Sequence, residues 1–195
     1  MQKLLLTVDK ISTMLGQFSA WSIAILTVVI CWEVASRYFF NNPHDWVFDT
    51  TYMLYGVLFM MAGAYTLSKN GHVRGDVLYG FFAPRTQAAL DLMLYFIFFI
   101  PGIVALIYAG ISFASISLAI NEHTTQTANG PPIWPFKFII PIAGSLLLMQ
   151  GVAEIIRCVL CLKTGEWPKR EHDVEEVDVD KLKAMVSHDD EKKGA

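Results

Sequence analysis

Four long apolar runs set the plan of this chain: residues 14–32, 50–68, 92–121 and 138–153. Each lacks Asp, Glu, Lys, Arg and His and is bounded by charge. At about 1.5 Å per helical residue, the first three can each cross a hydrocarbon core of roughly 30 Å. The fourth crosses it if the helix continues to about Leu162, with Glu154 and Arg157 snorkelling to the interface. Only helices and closed barrels satisfy their own backbone in lipid. The pattern therefore predicts an all-α integral membrane protein of four transmembrane helices, spanning about 14–35, 48–68, 90–120 and 136–162.

Residues 2–15 precede the first span, with Leu4, Leu5, Val8, Ile11 and Leu15 at helical spacing. They fit an interfacial helix along the membrane surface before the chain turns inward. The first span is not read as a secretory signal. Its apolar run is longer than an h-region, Asp9 and Lys10 interrupt the approach, and no A-x-A-like site follows. The third run would be about 45 Å long as a straight helix, so it must tilt, bend or emerge, and Pro101-Gly102 offers a place for a kink.

With 54% hydrophobic and 17% charged residues, the polar groups are concentrated in the connections and the C-terminal tail. The membrane domain is therefore expected to be 1–162, and residues 163–195 a charged, partly disordered appendage. No basic face suited to nucleic acid is visible. Lysines and arginines also set an orientation. Lys3 and Lys10 precede the first span, Lys69, Arg74 and Arg85 separate the second from the third, and Arg157, Lys163, Lys169 and Arg170 follow the fourth. The positive-inside rule then places both termini and the middle connection in the cytoplasm, with 38–47 and 122–135 outside. Trp21, Trp32, Trp46, Trp134 and Trp167 fall mainly near span ends, where amphipathic rings favour the headgroups, and of these Trp21 fits least well.

Candidate chemistry narrows the picture mainly by what is missing. A carrier holds its substrate with intramembrane ionisable groups, broken helices and structural repeats. None is evident, and the acids Glu33, Asp49, Asp91 and Glu154 map near span ends. His44, His72, His123, His172 and His188 all lie in connections or the tail, which leaves no axial ligands for haem. Cys158-x-x-Cys161 has the spacing of half a zinc site without the other half, so both are expected to pack as small apolar residues, as is Cys31. No nucleophile-elbow, zinc-protease or P-loop pattern occurs, so no enzyme, cofactor or metal site is expected.

Three polar clusters remain. Glu33 and Arg37 are four apart, with the acid on the N-terminal side, the favourable order for a pair on one helix face. Trp46-Val-Phe-Asp49 opens the second helix and leaves an acid near its positive end. Gly71-His72-Val-Arg74-Gly-Asp76 reads as a compact turn whose glycines relax the backbone. Capping and interface anchoring explain each one taken alone.

Their order along the chain resembles the small membrane subunit of tripartite ATP-independent periplasmic (TRAP) transporters. The resemblance rests on Glu33-Val-Ala-Ser-Arg37-Tyr-Phe-Phe, on Pro43-His-Asp-Trp46 with Asp49, on Gly71-His-Val-Arg-Gly-Asp76-Val-Leu-Tyr, and on Gly130-Pro-Pro-Ile-Trp134-Pro-Phe-Lys137 before Ile140-Pro141. It covers roughly residues 15–162. One departure stands out: the family often has an acidic pair after the tryptophan motif, and here Asp49 is followed by Thr50.

The resemblance implies a scaffold for a large membrane subunit that carries an organic acid inward with sodium, delivered by a periplasmic substrate-binding protein, in a bacterial inner membrane. Sodium coupling would then belong to the large partner. Glu33, Arg37, Trp46, Asp49, His72, Arg74, Asp76 and Trp134 become candidates for a subunit interface or a structural role. Small residues such as Gly56, Gly63, Ala64, Gly110, Ala114, Gly144 and Gly151 would allow close helix approach, within the chain or between subunits. The alternatives are the membrane anchor of an enzyme complex and an independent small carrier.

Overall fold

The structure, a computed structural model, describes residues 2–69, 71, 82–127 and 130–168. Among them, four helices are long and apolar enough to cross a membrane: α1 (Gln2–Phe39), α2 (Asp45–Ser68), α3 (Pro84–Ala119) and α4 (Trp134–Thr164). The last follows a short turn, Trp134–Lys137, that leads into the helix proper, Ile139–Thr164. The only bridge among these residues is an isolated one, His123 to Pro132, in the α3–α4 connection.

α1 corrects the expected entry. No turn separates residues 2–15 from the first span, and one helix of 38 residues covers both. No proline lies within it, and its early residues alternate buried Leu5, Asp9, Ser12, Gly16 and Ser19 with exposed neighbours, so the segment packs against the bundle along one side. The helix stops where Asn41 takes φ 51, a left-handed conformation that asparagine tolerates better than most residues. The Asn42 amide closes back on the Ser36 carbonyl at 3.2 Å and the Ser36 hydroxyl on the Asn42 carbonyl at 2.8 Å.

α3 also departs from a simple kink. The irregularity lies one turn before Pro101, where Tyr95–Phe99 widens into a π-helical turn and the Ile100 amide reaches back to the Tyr95 carbonyl. Proline lacks an amide hydrogen and its ring crowds the carbonyl four residues earlier, so a wider preceding turn gives that ring room. α4 ends at Gly165, with φ 85, whose amide caps the Cys161 carbonyl at 2.7 Å.

The helices run up and down. α1 lies along α2, and α4 touches each of the other three while α3 leans on it from the edge. Glycines allow this closeness: a β-carbon at Gly16 would come within 2.5 Å of Tyr65, at Gly56 within 2.4 Å of Phe136 and at Gly144 within 2.9 Å of Ile107. Gly56, Gly110, Gly144 and Gly151 are thereby spent on packing within the chain. Cys158 and Cys161 are buried against Ala88, with Leu92, Tyr95, Leu162 and Trp167 around them, as their apolar reading anticipates. Cys31 is exposed on α1 instead of packed, because the face it occupies meets no other helix of the chain.

Candidate functional site

Polar side chains gather at the two ends of the bundle. At the end formed by the two short connections, Glu33 is the hub. Its carboxylate accepts Arg37 Nη2 at 3.1 Å, the His44 backbone amide at 3.2 Å and faces His44 Nδ1 at 3.1 Å. The expected helical pair is therefore real, and it also receives the residue that starts α2. Thus an acid near the end of α1 fixes the geometry of the next helix. Arg37 keeps 60% of its side chain exposed, leaving most of its donors available. Beside it a cleft of about 420 Å³ opens between α1 and α2, lined in part by Ile30, Glu33, Arg37, His44, Phe48 and Thr127.

Asp49 is not the helix-start acid that its motif suggests. Asp45 holds the first turn of α2, while Asp49 lies one turn further in and is buried. It accepts the Thr124 hydroxyl at 2.8 Å and the Thr127 hydroxyl, clamping the α3–α4 connection onto α2. That connection is braced again by the ion pair of Lys137 with Glu122, and Lys137 Nζ sits 4.0 Å from the centre of the Phe113 ring. The lysine beside Glu122 holds its carboxyl below the usual range. Trp46 is partly exposed near His44, and half-buried Trp134 meets the Phe138 ring edge-on.

The opposite end holds a cluster that the sequence did not disclose. Glu154 and Arg157 do not snorkel: both are buried, and Arg157 pairs with Glu154 and with Asp9 of α1. Gln150 donates to Asp9 at 2.8 Å and accepts the Ser12 hydroxyl at 3.0 Å. A charge drawn inward is expensive unless other groups meet it, so this arrangement ties the start of α1 to the end of α4. Gln150, Glu154 and Arg157 sit at i, i+4 and i+7, a polar stripe down one side of an apolar helix, and that spacing was the available signal.

The candidates thus divide. Glu33, Arg37, Trp46, Asp49 and Trp134 come to one end of the bundle, while His72, Arg74, Asp76 and the tail beyond residue 168 lie outside the described residues. Among the described residues no group of three or more His, Cys, Asp or Glu stands close enough to hold a metal ion.

Four apolar helices in an up-and-down bundle, with ionic clasps at both ends, define a multi-pass membrane protein. Residues 26–161 match the DctQ component of tripartite ATP-independent periplasmic transporters, and the chain belongs to that family. It is the small membrane subunit of such a transporter, and the family is a transporter component instead of an enzyme family. No curated protein matched the chain. The matched stretch begins within α1, so Asp9 and Ser12 precede it while their partners Gln150, Glu154 and Arg157 fall inside.

Proposed function

We propose that this chain is the scaffold of a sodium-coupled, binding-protein-dependent system that takes an organic acid across a bacterial inner membrane. It enlarges the stationary part of a large membrane subunit, which carries the substrate and sodium. Both termini face the cytoplasm, and the end bearing Glu33, Arg37, Trp46 and Asp49 faces the periplasm, where the substrate-loaded binding protein arrives.

The observation that carries this reading is the state of α3. Its most apolar 18-residue stretch has no buried residue, although it is the most hydropathic of the four helices. A self-contained carrier surrounds its substrate path with helices, whereas in this chain the most apolar part of α3 lies at the edge of the bundle with no residue fully buried. The ionised side chains buried at the terminal end are engaged with one another, which suits a brace better than a binding site.

Two measurements test it. Purified from its native membrane in mild detergent, the chain should bring down a large hydrophobic membrane protein. Alone in liposomes under a sodium gradient it should take up no organic acid, and the pair with the binding protein should. Uptake by this chain alone would overturn the scaffold role.

A further inference from the structure

α1 carries two polar side chains where lipid cannot serve them. Trp21 lies midway between Lys10 and Glu33, about 17 Å along the helix from each, so it sits near the centre of the membrane. Gln17 is one turn away on the same side, about 10 Å inside the level of Lys10. Both are exposed, Trp21 to 71%, and neither has a hydrogen-bond partner among the described residues. Thr27, also exposed on α1, differs because its hydroxyl returns to the Ile23 carbonyl at 2.8 Å. An indole N–H and a carboxamide cannot reach their own helix in that way. In hydrocarbon they lack any partner, and a glutamine there promotes helix association.

We propose that the Gln17–Trp21 face of α1 receives a transmembrane helix of the large partner subunit, and that this helix presents a hydrogen-bonding group near mid-membrane. The proposal rests on the subunit reading above and adds to it the face that is used. Phe18, Ile25, Val28 and Trp32 continue the same exposed ridge, while Ala20 and Ala24 beside it leave a shallow groove for a neighbouring helix. A second copy of α1 fits less well. In a twofold parallel pair equal residues meet at equal depth, so Trp21, which can only donate, would face another donor. Gln17 and Trp21 also precede the residues matched to the family, so the match itself does not account for them.

The test uses the whole transporter in its native membrane. Photoreactive benzoylphenylalanine in place of Phe18 should cross-link to the large subunit. Gln17→Leu and Trp21→Phe should each lower the large subunit recovered with this chain by about threefold at unchanged chain abundance, with Gln17→Asn milder. Cross-links confined to lipid or to a second copy, with the large subunit still recovered, would overturn the assignment of this face and leave the subunit reading standing. Failure of the unmodified chain to recover any large membrane protein would defeat the subunit reading itself.

Discussion

The ring of Phe99 in α3 occupies the space that a β-carbon of residue 151 in α4 would need: the two would lie 2.1 Å apart. The π-helical turn at Tyr95–Phe99 sets this ring at Gly151, and Tyr95 braces it edge-on with ring centres 5.1 Å apart. Local irregularity in one helix is thus matched by a missing side chain in the next. Gly151→Ala should destabilise the chain by about 1 to 3 kcal/mol through overpacking. Phe99→Leu in the same chain should restore part of that loss. At Gly102, which has no neighbour within 4 Å, alanine should be neutral or slightly stabilising. Thermal unfolding of the three variants beside the wild type in detergent measures the difference, and equal losses at Gly151 and Gly102 would dismiss the notch.

Arg157 answers two buried acids, so removing it alone leaves both without their cation. Arg157→Met should lower stability by about 3 to 5 kcal/mol. Replacing all three ionic members together, as Asp9→Leu, Glu154→Leu and Arg157→Met, should recover most of it, because no uncompensated charge remains. A triple variant as unstable as the single one would mean that the ionic contacts contribute net stability in their own right.

These two sites show what could be read from the sequence. The spans were legible because length and hydropathy are local properties, and Glu33–Arg37 was legible because one helical turn brings the pair together. Asp49 was misplaced because its partners lie 75 and 78 residues further on. Arg157 and Asp9 are separated by 148 residues, and each near a span end looked like a group bound for water. Snorkelling and burial have the same local pattern, and only the neighbouring helix decides between them. The continuity of α1 follows from the same fact, since Asp9 draws the entry segment onto α4.

The Glu122–Lys137 brace makes the α3–α4 connection sensitive to acid. Lys137 holds the Glu122 carboxyl below its ordinary value of 4.5, and Glu122 lies just past the end of α3. A depressed carboxylate stabilises the folded form at pH above the unfolded value, and the contribution disappears as pH falls through the folded one. Proteolysis of the connection should therefore be slow near neutrality and rise as pH drops below about 4.5. Glu122→Gln should be cleaved faster near neutrality and lose most of that pH dependence. A wild-type profile unchanged by the substitution would assign the acid sensitivity to another group.

Arg37 tests the division of labour most sharply, because a guanidinium can hold a carboxylate with two parallel hydrogen bonds and most of this one is exposed. Glu33 already engages one of its nitrogens, and with the guanidinium 60% exposed to solvent the pair contributes little to stability. Arg37→Gln should therefore leave abundance nearly unchanged, with Glu33 still holding the His44 amide. If Arg37 serves only at the surface where subunits or the binding protein meet, uptake of every organic acid in a panel should fall by the same factor in the reconstituted complete system. If it touches substrate, acids of different length or charge should fall by different factors. A changed order of preference at normal abundance would place this chain in the substrate path and end the scaffold reading.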